Sequence, residues 1–132
     1  MHPFQAAVEA RDFDAIDALL ADDVVFTSPV AFTPYPGKAI TAAILRGVLN
    51  VFEDFHYVQE FSSPDGLSHA LMFETAVSGK KITGCDFVTC NEAGLITEIM
   101  VMVRPLSGAM ALAEAMGAQF EQIKAEAARL SS

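Results

Sequence analysis

Tryptophan is absent from the 132-residue chain, cysteine occurs twice, histidine three times, and Lys and Arg together only eight times against 17 acidic residues. The resulting net charge of −9 repels phosphate backbones and anionic headgroups, which argues against nucleic acid or membrane surfaces as partners. Although 52% of the residues are hydrophobic, no stretch approaches the roughly 20 consecutive apolar residues of a membrane span. Met1-His2-Pro3-Phe4 lacks the basic start and apolar run of a secretory signal, so a cytoplasmic location is expected. No Cys-x-x-Cys or His-Glu-x-x-His spacing occurs, and neither a metal nor a cofactor is expected. Cys85 and Cys90 fall at odd spacing in one strand-like segment, so their sulfurs point to opposite faces. Buried thiols are expected there, not a disulfide. No fixed-period repeat and no low-complexity segment appear.

The apolar pattern of the remainder fits one domain over 1–132. Phe4, Ala7, Val8 and Ala10 begin one short helix, and Phe13, Ile16, Leu19 and Leu20 a second, with Asp12 positioned to cap it. Ala21-Asp22-Asp23 is expected to end that helix, and Val24-Val25-Phe26 to form a strand. Pro29, Pro34, Pro36 and Gly37 mark a loop. Ile40, Ala43, Ile44, Val48 and Val51 predict a helix from Lys38 to about Phe52, and Phe55 to Phe61 alternates like a strand. Ser68–Val77, Lys80–Cys90 and Leu95–Arg104 read as three longer strands of an antiparallel meander. After Pro105 and Gly108, the stripe Leu112, Met116, Phe120, Ile123, Ala127 and Leu130 predicts one amphipathic C-terminal helix over about 109–130.

Helices first, then a strand, a helix and a run of long strands is an α+β order in which a curved antiparallel sheet wraps around the N-terminal helices. Phe4–Pro29, Pro36-Gly37-Lys38-Ala39-Ile40 and Cys85–Ile99 resemble SnoaL-like and ketosteroid-isomerase-like members of the nuclear transport factor 2-like superfamily. The resemblance covers the core, 4–103, and implies a cone-shaped sheet with an internal cavity, extended here by the C-terminal helix. That superfold hosts isomerases, cyclases, dehydratases, hydrolases and plain binding modules, so it does not specify a reaction. Carried over from the isomerase pattern, the tyrosine donor falls on Phe4 and the aspartate base on Ser28, while Asp86 matches the protonated-aspartate donor. A phenyl ring donates no hydrogen bond, and a serine hydroxyl does not abstract a carbon-bound proton near neutral pH without an activator. Ketosteroid isomerase activity itself is therefore not expected.

If Ser78-Gly79 is a two-residue hairpin turn, Leu71 lies opposite Asp86 and His69 opposite Val88. One face then carries His69, Leu71, Phe73, Thr75, Ile82, Gly84, Asp86 and Val88, joined by Ile99, Val101 and Val103. Asp86 is an acid on an apolar face, where desolvation favours its neutral form. The alternative is an aspartate satisfied by a backbone amide or buried water. The candidate catalytic residues are Asp86, His69 and Ser28. The expected ligand pocket comprises Phe4, Val8, Leu45, Leu71, Phe73, Ile82, Ile99 and Val101. For Tyr57, His56 and His2 a structural role is preferred. The opposite face carries Met72, Cys85, Phe87, Met100 and Met102, an apolar patch requiring cover. Homodimerisation through Met72, Phe87, Met100 and Met102 is the expectation, with burial under the C-terminal helix as the alternative. Two functions compete: a cavity protein for a small, mostly apolar molecule with acid-base chemistry centred on Asp86, and a non-catalytic ligand-binding or dimeric interaction module.

Overall fold

The computed structural model describes residues 2–131. It opens with two short helices, α1 (Pro3–Glu9) and α2 (Phe13–Leu19). His2 caps α1, its Nδ1 accepting the Phe4 N–H at 3.0 Å. Asp12 caps α2, its carboxylate accepting the Ala15 N–H at 3.1 Å where the helix dipole favours negative charge. Strand β1 (Leu20–Thr27) is longer than the three residues expected, because Ala21-Asp22-Asp23 continues it instead of closing α2. Leu20 pairs with Ile96, and a register shift before Val25 leaves Asp22 and Asp23 exposed while Val24 stays buried.

Strand β2 (Tyr35–Pro36) precedes α3 (Lys38–Val51), and β3 (Glu53–Ser62), β4 (Ser68–Val77), β5 (Lys80–Cys90) and β6 (Ile96–Arg104) follow. They form one six-stranded sheet in the order β2-β1-β6-β5-β4-β3. The meander from β3 to β6 is antiparallel, but β1 joins β6 in parallel, which makes the sheet mixed. Ser78 and Gly79 both have positive φ, 51° and 78°, the geometry of a primed hairpin turn. That turn sets Val77 against Lys80, Leu71 against Asp86 and His69 against Val88, the register counted from the sequence. On the far side Asp86 faces Val101 and Val88 faces Ile99; the shift between Thr89 and Cys90 comes after these pairs.

The C-terminal segment is two helices, α4 (Leu106–Ala118) and α5 (Phe120–Ser131), not one. The break at Gln119 is a single residue, so the apolar stripe runs across it without a visible interruption. The first turn also starts earlier than Gly108 suggested. Gly108 lies inside α4, where a Cβ would sit 2.7 Å from Ile82 Cγ1, so the glycine permits helix-on-sheet contact. Leu112 and Ile123 are buried in the core, on the same side of the sheet as α1 and α3. The helices thus cover the concave side. On the convex side Phe87 and Met102 remain exposed. No helix among the described residues is long and apolar enough to cross a membrane.

Candidate functional site

Among the described residues one carboxyl group is buried, and it lies on the concave face of the sheet. Asp86 is buried on β5 between Leu71 and Val101, and Tyr57 of β3 reaches over β4 to donate its hydroxyl hydrogen to Asp86 Oδ2 at 2.8 Å. Tyr57 is held edge-on by Phe55 and Phe73, with ring centroids 5.0 and 6.4 Å away, and Phe52 stacks on Phe55. Its backbone N–H donates to Glu9 Oε2 at 3.1 Å, tying β3 to the end of α1. A tyrosine so placed has two rotatable torsions fixed by packing, and its polar tip has one buried partner.

Burial pushes the Asp86 carboxyl up to about 7, against the opposing pull of the Tyr57 hydrogen bond, which favours the carboxylate. The Tyr57 hydroxyl is pushed well above its ordinary value, first by burial and then by the neighbouring Asp86 charge. With Tyr57 donating to Oδ2, the carboxyl keeps an oxygen for another partner. Protonated, it donates a hydrogen bond; ionised, it accepts one.

This pair ends a chamber of about 50 Å³, walled by Phe4 and Val8 of α1, Leu45 and Leu49 of α3, and Val101. Phe26, Pro29, Val48 and Leu112 line both this chamber and a larger cavity of about 220 Å³ beside it. The larger one opens among Ser28–Ala31, Tyr35 and the α4–α5 break at Met116, Gly117 and Phe120. Apart from Tyr57 and Asp86, every residue lining the inner chamber is apolar.

Of the pocket residues expected from sequence, Phe4, Val8, Leu45 and Val101 line the chamber with Asp86. Leu71, Phe73, Ile82 and Ile99 lie in the solid core around it. Ser28 lines the larger cavity, its Oγ accepting the Val30 N–H at 3.1 Å in the turn that follows. His69 stands at one end of the sheet, its ring nitrogens 2.8 Å from Ser62 Oγ and 2.9 Å from the Gly66 carbonyl. Asp86, His69 and Ser28 therefore do not converge on one point. The residue that does meet Asp86 is Tyr57, which sequence reasoning assigned a structural role. An inward tyrosine needs a partner for its hydroxyl, but the register shifts along the β3–β4 ladder keep the sequence from naming Asp86 as that partner.

The chain belongs to the SnoaL-like domain family, whose model matches residues 2–99. No curated protein matches it. Among solved structures it is similar to a steroid delta-isomerase from Pseudomonas aeruginosa, with 38% identity, a TM-score of 0.86, and 92% of this chain and 89% of that one covered. It is also similar to an uncharacterised bacterial protein with a cystatin-like fold from Silicibacter pomeroyi, at 36% identity and a TM-score of 0.84, covering 90% and 86% of the two chains. A nuclear transport factor 2-like protein of unknown function from Cytophaga hutchinsonii shares the fold at 21% identity and a TM-score of 0.61, over 78% of this chain and 85% of its own.

Proposed function

We propose that this protein binds a small, mostly apolar molecule bearing one carbonyl or hydroxyl oxygen, and that Asp86 holds and moves a proton at that oxygen or the carbon beside it. The observation that carries this reading is the buried Tyr57–Asp86 hydrogen bond at the end of an apolar chamber. A carboxyl that ionises near neutral pH is matched to proton transfer in either direction. The inner chamber, at about 50 Å³, is well below the roughly 150 Å³ of an engineered cavity that holds benzene. It therefore takes the oxygen-bearing tip of a ligand, while the adjoining cavity of about 220 Å³ takes the body.

Among isomerase, cyclase and hydrolase chemistries, a proton shift asks for the fewest groups, because one carboxyl can remove a proton and return it. The relative named a steroid delta-isomerase supports that kind of step. Phe4 and Ser28 lack the donor and base of the ketosteroid isomerase pattern, so here the step would run through Asp86. A second reading, binding without turnover, is favoured by the lack of any acid or base besides Asp86 and Tyr57 in the chamber lining. We also propose that two copies pair through the convex face at Met72, Phe87, Met100 and Met102.

Calorimetric titration with cyclohexanone, which accepts hydrogen bonds and donates none, tests the binding claim. Affinity should fall by about tenfold per pH unit above the Asp86 pKa, because only the neutral acid donates. Asp86→Asn keeps a donor and should bind independently of pH, whereas Asp86→Leu should not bind. Equal affinity at pH 5 and pH 9 in the unaltered protein, or unchanged affinity in Asp86→Leu, would remove Asp86 from the site.

A further inference from the structure

The sequence holds no two metal ligands at a familiar spacing, yet the fold gathers three from separate segments. His2 precedes α1, His69 lies at the start of β4 and Cys90 ends β5, and one ligating atom from each lies within 4.8 Å of the others. Antiparallel pairing sets His69 opposite Val88, two residues before Cys90. The start of α1 then carries His2 over this end of the sheet, its ring centroid 4.4 Å from that of His69 and its Nε2 3.7 Å from Cys90 Sγ. We propose that His2, His69 and Cys90 bind one divalent transition ion of the zinc class.

The spacing suits the ion. Tetrahedral zinc with Zn–N near 2.0 Å and Zn–S near 2.3 Å holds its nitrogen and sulfur ligands roughly 3.5 Å apart. One thiolate and two imidazoles select such an ion over magnesium or calcium, which take oxygen ligands. The Gly66 carbonyl lies 2.9 Å from His69 Nε2 and can only accept, so Nε2 carries the proton and Nδ1 keeps the lone pair. A metal-binding histidine commonly donates its other N–H to a backbone carbonyl in this way. Ser62 Oγ, 2.8 Å from that Nδ1, is the group an ion would displace.

His2 needs a larger change. Its Nδ1 accepts the Phe4 N–H, so Nε2 carries the proton. Coordination through Nε2 moves that proton to Nδ1 and frees the Phe4 N–H, while Cys90 binds as thiolate and passes its proton to solvent. The ion would tie α1 to β4 and β5. Phe4 and Val8 of that helix wall the Asp86 chamber, so metal would stiffen one side of the cavity.

The test is a cobalt(II) titration of the untagged, metal-free chain, followed by absorbance. Binding should give a thiolate-to-cobalt charge-transfer band, saturating at one ion per chain and displaced by zinc but not by magnesium. Cys85→Ser should retain the band, since Cys85 lies on the other face of β5, and Cys90→Ser should abolish it. His69→Gln, at a half-buried position where folding should survive, should weaken cobalt by more than the roughly 10–100-fold typical of losing a ligand's hydrogen-bond partner. Circular dichroism confirms that each variant is folded, and His69→Gln decides the matter if Cys90→Ser is not. Absence of the band in the unaltered chain, its survival in folded Cys90→Ser, or unchanged affinity in His69→Gln would overturn the site.

Discussion

Asp86 is held between two opposing influences, the low polarity around it and the hydroxyl of Tyr57. Burial is the stronger, so the folded protein binds the Asp86 proton more tightly than the unfolded chain does. The linkage has a definite sign: the folded pKa, about 7, lies above the unfolded value, so this residue's contribution to stability is fully present below about pH 4 and is lost as pH rises through 7. Within that window the loss is about 1.4 kcal/mol per pH unit. Asp86→Asn, nearly isosteric and always neutral, should remove this slope in urea melts recorded from pH 4 to 8, and should be at least as stable as the parent at pH 8. A parent and variant with parallel pH profiles would show that Asp86 is not a strained buried acid. The acid itself was legible from alternation along β5, since Asp86 shares parity with Ile82, Gly84 and Val88. Its partner was not. The β3–β4 ladder shifts register on both sides of the Tyr57 pairing, between Glu53 and His56 and between Tyr57 and Gln59. Counting from the turn therefore cannot place Tyr57 over Asp86.

Among the elements, β4 and β5 are the pair that the sequence specifies best. The Ser78-Gly79 turn and strict alternation together leave one register, because a slip of one residue would put Asp86 on the convex face. Gly84 adds a steric constraint to the same pair: a Cβ there would lie 2.3 Å from Phe73 Cζ and 2.9 Å from the Met102 carbonyl oxygen. Phe73 also braces Tyr57, so the glycine gives the ring that positions the site room to lie flat on β5. Gly84→Ala should cost roughly 1–3 kcal/mol in chemical denaturation, as overpacking of a tight core does. No change in the unfolding midpoint would mean that Phe73 has somewhere else to go. The elements least legible were β1 and the C-terminal pair. Asp22-Asp23 looks like the end of a helix because the bulge that exposes both is a tertiary pairing with β6. Gly108 looks like a breaker because its reason for being glycine is the neighbouring Ile82. In each case a contact distant in sequence decided what local propensity could not.

At the scale of the whole molecule, the concave side encloses an apolar chamber and the convex side leaves large apolar side chains uncovered. Met102 is 54% exposed and Phe87 39%, on a face they share with Met72 and Cys85 and in a hollow to which no residue of the C-terminal helices contributes. Sedimentation at micromolar concentration should find a dimer, and Met102→Asp, which sets two carboxylates near a symmetry axis, should shift it to monomer. A protein that sediments only as a monomer would return this face to solvent. On the concave side, a buried acid with a tyrosine donor ends an apolar chamber. The most direct measurement of that arrangement is an NMR titration of the Asp86 carboxyl carbon, in the unaltered chain and in Tyr57→Phe. The expected midpoint is near 7 and moves higher when the hydroxyl is removed, because the lost hydrogen bond favoured the carboxylate. A midpoint at or below the roughly 3.9 of a free aspartate, or one that Tyr57→Phe leaves unmoved, would contradict that arrangement.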